Sequence, residues 1–147
     1  VKAPTDTKPL WVCPKCGRRF QRQRQAHSCN FFPLDKHFER KPVAELLYDK
    51  FETAVKRQVG SFKVESLKCC IHFVSSVTFA AVFALRDRIR VDFALNREIK
   101  SERLHKEAKL SAHRYLYLVE IKSDKDIDKE LLQWIHEAAQ PLTRKNE

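Results

Sequence analysis

Between residues 42 and 140 the spacing of apolar side chains changes period twice, from helical to alternating and back again, and that order leaves few folds open. From Pro42 to about Gln58, Leu47, Phe51, Val55 and Val59 fall on one helical face, with Ala44, Tyr48 and Ala54 beside them. Pro42 suits the first helical position, where its missing N–H costs nothing, and Gly60 closes the element. The period then becomes two: Ile71 and Phe73, next Val77, Phe79, Ala81, Phe83 and Leu85, then Ile89, Val91, Phe93 and Leu95 after a turn at Arg86-Asp87. Residues 97–111 are polar and predict a short helix or a long, mobile loop. A further strand at Tyr115–Ile121 is apolar on both faces at its start, which suits a central position or cover from a helix. Ser123 with Asp126 makes a capping-box start for a final helix that places Ile127, Leu131, Trp134, Ile135 and Ala138 on one face and ends near Gln140-Pro141. Helix, four or five strands, helix, with short turns between strands, predicts a two-layer α+β domain: a mainly antiparallel sheet with both main helices on one face.

Several functions are excluded by what the chain lacks. It has only two glycines, and it contains no G-x-G-x-x-G, no G-x-x-x-x-G-K-[ST] and no G-x-S-x-G. Dinucleotide, P-loop and hydrolase-type sites therefore have no local support. No stretch approaches the roughly 18 apolar residues of a membrane span, and VKAPTDTKPLW has no apolar signal segment. A soluble, cytoplasmic protein without a membrane partner is expected.

The five cysteines are odd in number and four of them fall in two close groups, a pattern that suits a metal site in a reducing compartment. In Trp11-Val-Cys13-Pro-Lys-Cys16-Gly17-Arg-Arg-Phe20, two residues separate the thiols, so the chain can turn back and aim both sulfurs at one ion. His27-Ser-Cys29 follows after ten intervening residues. Cys13, Cys16, His27 and Cys29 form a Cys3His set, for which zinc is the expected ion. Four such ligands close a tetrahedral shell, and residues 17–30 contain no Asp or Glu for proton transfer, so the zinc is expected to be structural. Cys69-Cys70 is a competing ligand source, although its apolar, strand-like surroundings suit core cysteines, and His37 is an alternative to His27. The C-x-x-C-G-R-R-F start resembles the first half of a C2H2 zinc finger. The second half departs from that pattern in its spacing and its H-x-C pair, so no recognition helix carries over.

Charge is concentrated around this cluster. Residues 1–41 carry ten Lys/Arg against three Asp/Glu, while residues 42–147 carry nineteen against sixteen. Arg18, Arg19, Arg22 and Arg24 are candidate contacts for the phosphates of DNA or RNA, since the guanidinium fork matches phosphate oxygens. A solvated surface on a small module is the plainer reading of the same arginines. In the body, no local motif specifies a reaction. His113-Arg114-Tyr115 enters a strand after the polar segment, and Lys68 is the residue we pair with His113 as a candidate pocket. His72, His105 and His136 have no such context.

The segments CPKCGRRF, QAHSC, DKHFERKPVAELLYDKF, KCCIHFVSSVTFAAVFALRDRIRVDFAL and SAHRYLYLVEIKSDKDIDKELLQWIHEA together resemble a bacterial family of uncharacterised proteins, the DUF5655 group. The resemblance covers roughly residues 35–140, and the cysteine-rich start is similar to that of a subset of such proteins. It implies an α+β unit that occurs alone or attached to other proteins, nuclease-like ones included, and so mildly favours a nucleic-acid-linked role. It implies no catalytic residues. The expected organisation is a zinc-ribbon-like or short zinc-finger-like module at 1–32, the body at 33–141 and a tail at 142–147. The expected function is that of a zinc-containing binding or accessory protein, with DNA or RNA as the candidate partner. An enzyme or small-ligand receptor using a cleft near Lys68 and His113, and an adaptor for a protein partner, are the alternatives.

Overall fold

A computed structural model describes residues 10–14, 19–20, 22–26 and 32–140. The chain divides into two compact units, Val1–Phe32 and Pro33–Glu147.

In the first unit, strand β1 (Trp11–Val12) pairs antiparallel with β2 (Arg19–Phe20), with Trp11 opposite Phe20 and Val12 opposite Arg19. The Trp11 and Phe20 rings lie 6.1 Å apart, an aromatic cross-strand pair of the kind that fixes the register of a short hairpin.

The second unit opens with a 3-10 turn, Leu34–Phe38, and helix α1 (Pro42–Val59). Pro42 sits in the first turn, and Gly60 takes φ +98°, a value that side chains resist, to end the helix. Strands β3 (Lys63–Ser66), β4 (Ile71–Val74), β5 (Thr78–Ala84), β6 (Ile89–Leu95), β7 (His105–Ser111) and β8 (Arg114–Ile121) form one antiparallel sheet in the order β3-β4-β5-β6-β8-β7. A 3-10 turn, Asp124–Asp126, then leads to helix α2 (Lys129–Ala139). The α+β class and the antiparallel sheet with two helices are thus present. Among the described residues no helix is long and apolar enough to cross a membrane.

Both helices lie on one face of this sheet. Along β6, Ile89, Val91, Phe93 and Leu95 are buried, while Arg90, Asp92 and Ala94 between them are only partly buried. The buried set packs with Leu47, Tyr48, Phe51 and Val55 of α1 and with Leu131, Trp134 and Ile135 of α2 in one core. Aromatic rings join the layers: Phe51 stacks on Phe73 at 5.8 Å, Phe73 meets Phe62 at 4.6 Å, and Phe93 stacks on Trp134 at 6.3 Å. His37 ties the first turn to the sheet, its Nε2 lying 3.1 Å from Ser66 Oγ. Burial holds its ring below the ordinary histidine range, helped by Lys41 and opposed by a bond to the Leu67 backbone.

Four expectations are corrected. The polar stretch 97–111 is neither helix nor free loop, because it ends in β7. The segment before β7 is pinned: Tyr117 Oη accepts from Ile99 N at 2.8 Å and donates to Arg97 O at 3.3 Å, while Arg103 donates to both oxygens of Asp128 at 2.8 Å. Second, β3 adds a strand whose sequence, K-V-E-S, carries too few apolar residues to announce itself. Third, β5 points the other way along most of its length. Val82 and Ala80 face the core, whereas Ala81 and Phe83 pair with Asp92 and Arg90 and face outward. The register shift at Phe73/Val74, where Val74 pairs with Thr78, is a bulge that brings Phe79 inward beside Ala80, and a strand apolar on both faces cannot show it. Fourth, the Ser123 capping box serves the 3-10 turn, and Asp128 caps α2 by accepting from Leu131 N at 3.0 Å.

Phe73 meets rings from α1, β5 and the segment before β3, so Phe73→Ala is expected to destabilise the domain by about 3–5 kcal/mol in urea unfolding. Leu46→Ala, on the exposed side of α1, is expected to change stability by less than about 0.5 kcal/mol.

Candidate functional site

Strands β1 and β2 pair across the sequence segment 13–18, in which both cysteines of C-P-K-C fall. Cys13, directly after β1, is buried at 3% exposure although its unit is very small. Cys16, His27, Cys29 and Arg18 lie outside the described residues, so the Cys3His set is represented by Cys13 alone. Of the candidate phosphate-binding arginines, Arg22 and Arg24 are exposed and Arg19 is half-exposed in β2. Among the described residues no group of three or more His, Cys, Asp or Glu is arranged to hold a metal.

The substitutes for this ligand set have other occupations. His37 is buried and engaged with Ser66. Cys69 and Cys70 sit in the turn between β3 and β4 and not within a strand; their sulfurs lie 3.2 Å apart. Burial, with the Cys69 hydrogen bond, pushes the Cys70 thiol up to about 12, which keeps it protonated at neutral pH and makes it a poor ligand and nucleophile.

Lys68 and His113 are not brought together. Lys68 is exposed in the β3–β4 turn and His113 is exposed in the β7–β8 turn. Strands β3 and β7 are opposite edges of the sheet, and alternating strand direction puts these two turns at opposite ends. The pair occupies diagonal corners, and a shared cleft is ruled out by topology.

A groove does open on the face of the sheet that the helices leave uncovered. It has a volume of about 330 Å³ and spans β5, β6, β8 and the end of β7. Ala81 and Ala94 help form its floor, Leu110 and Leu116 one wall, and Asp92 and Arg114 supply charge. Arg114 is the residue next to His113, so the segment singled out in the sequence reaches the groove through its second residue. A larger cavity, about 410 Å³, lies between α1 and the Asp124 turn, but the Lys50–Asp124 ion pair at 3.3 Å is part of its lining and joins its two sides.

The profile of a domain family of unknown function, DUF5655, matches residues 34–140. The chain belongs to this family. No curated protein and no solved structure matches the chain. The matched span covers all six strands of the larger sheet and both helices, so the groove is a feature of the DUF5655 domain itself.

Within the DUF5655 domain, Asp92 is an acid of the groove lining whose titration is shifted by its surroundings. Its side chain is 12% exposed, and Arg90 on the same strand donates to it through Nε at 3.0 Å and Nη2 at 3.2 Å. Burial raises the carboxyl above the ordinary aspartate range against the pull of Arg90, and the nearby Glu107 raises it further. Because folding raises this carboxyl above its unfolded value, Asp92 contributes stability at low pH that is lost as pH rises from the unfolded value through the folded one. Carbon-detected NMR titration is expected to place the Asp92 midpoint above the reference of about 3.9. In Arg90→Gln it should move higher still, because the opposing cation is gone.

Proposed function

We propose that the protein is a zinc-stabilised binding or accessory protein whose basic N-terminal module contacts nucleic acid. The observation that carries this reading is the β1–β2 pairing of the two segments that flank C-P-K-C in sequence, together with the burial of Cys13 directly after β1. A hairpin with a tight C-x-x-C turn is how short zinc modules bring two sulfurs to one face of an ion. Cys13, Cys16, His27 and Cys29 would complete a closed tetrahedral shell. Zinc bound there supplies folding energy to a unit too small to fold on an apolar core alone. Arg22 and Arg24 are exposed, and with Arg18 and Arg19 they fall between the two ligand pairs in sequence and would offer guanidinium forks to phosphate oxygens. The nuclease-like associations that the family resemblance implies favour the same kind of partner.

Metal analysis of the reduced, purified protein is expected to find about one zinc per chain, and Cys13→Ser should lower that content sharply while the DUF5655 domain stays folded. A metal-free, reduced protein with an ordered N-terminal hairpin would defeat the zinc reading.

Titrations with mixed-sequence duplex DNA, single-stranded DNA and RNA test the partner. Binding is expected to weaken with salt. Replacing Arg18, Arg19, Arg22 and Arg24 by Gln should flatten the log–log salt dependence by roughly 0.7–0.9 for each phosphate that those arginines neutralise. No binding at low salt, or binding indifferent to the four substitutions, would remove nucleic acid from the proposal.

A further inference from the structure

The groove on the open sheet face combines three observations that the N-terminal reading does not use. Its floor is low because Ala81 and Ala94 occupy outward positions whose neighbours are Phe83, Leu116 and Leu118. Ala81 pairs with Asp92 and Ala94 with Leu116, and the two methyl side chains give the floor an apolar surface.

The second observation is an uncompensated cation. Two arginines lie on strands of the larger sheet, Arg90 and Arg114. The first is closed by Asp92, whereas the second donates from Nη1 to Asn96 Oδ1 at 2.9 Å. An amide orients a guanidinium without cancelling its charge. Among the described residues no carboxylate lies within ion-pair distance of Arg114, and its remaining N–H donors can meet a ligand.

The third observation is polarity along the groove. On β6, Asp92 is two residues before Ala94 and four before Asn96, so the acid and Arg114 stand apart by up to ~13 Å of strand. Asp92 is already bonded to Arg90 and offers no donor to an anion at its end, which leaves the Arg114 end to receive one. Among the described residues the lining holds a single cation and neither a lysine nor a helix N-terminus, which matches a carboxylate better than a phosphate dianion. The volume falls at the lower end of the ~300–1,000 Å³ typical of small-molecule sites.

We infer that this groove binds a small monocarboxylate with an apolar body, its carboxylate on Arg114 and its body over Ala81 and Ala94.

The test is a ¹H–¹⁵N NMR titration of the full chain with 3-phenylpropanoate, alongside its neutral analogue 3-phenylpropan-1-ol, the dianion glutarate and inorganic phosphate. Saturable shifts at the amides of Ala81, Ala94 and Leu116 are expected with 3-phenylpropanoate, and much weaker ones with the other three. Affinity should fall about tenfold or more in Arg114→Gln and recover in part in Arg114→Lys. Ala94→Leu fills the floor from an outward position, and it should abolish binding while the spectrum stays dispersed. That variant keeps the test decisive should Arg114→Gln perturb the Asn96 hydrogen bond. Shifts confined to other amides, equal binding of the alcohol or of phosphate, or affinity unchanged in both Arg114→Gln and Ala94→Leu would each overturn the inference.

Discussion

Phe73 is the point at which the layers of the larger unit are locked together. Its ring meets Tyr48 and Phe51 from α1, Phe62 from the segment before β3, and Phe79 from the bulged start of β5. A flat ring shared by four aromatic neighbours fixes the height of the helix above the sheet and the register of β4 against β5 at the same time. That register decides which side chains of β5 face away from the core. With Ala80 and Val82 turned inward, Ala81 and Phe83 must lie outward, and the low floor of the open face follows from it.

The helices cover one face only, so the second face carries the charged side chains of β6 and β8. Arg90 and Asp92 satisfy each other there, and Arg90 also lies 4.1 Å from the centre of the Phe83 ring. The pair is self-contained, which explains how a largely buried carboxylate can be tolerated without a second layer over it. Arg114 contrasts with it on the neighbouring strand, because it is held by a neutral amide and keeps its charge.

Much of the architecture was legible in the sequence because helical and alternating periods are strong signals where one face is clearly apolar. Helix α1, strand β6 and the outer bounds of β8 follow from that rule with small shifts at their ends. The failures have equally physical causes. β5 reads T-F-A-A-V-F-A and is apolar on both faces, so alternation cannot tell inside from outside. β7 reads H-K-E-A-K-L-S, an edge strand with little to bury, and its polar composition mimics a loop. The pairing of Lys68 with His113 failed because sequence order does not give strand order. Strand β8 inserts between β6 and β7, and the two turns end at opposite corners. Nothing short of the topology shows that Arg114, and not His113, reaches the groove.

The outermost strand of the sheet has a further consequence for how these molecules behave in a crowd. β7 is exposed at nearly every position, and its pairing to β8 slips at Lys106/Ala108 and again at Lys109/Ser111. Lys106 is ion-paired to Glu98, and Lys106 and Lys109 both lie near the Tyr115 ring. Two irregularities and a run of cations leave no straight, neutral row of amides for another chain to extend. The sheet therefore stops at β7 by construction, and fibre growth by edge-to-edge stacking of folded copies is disfavoured from that side.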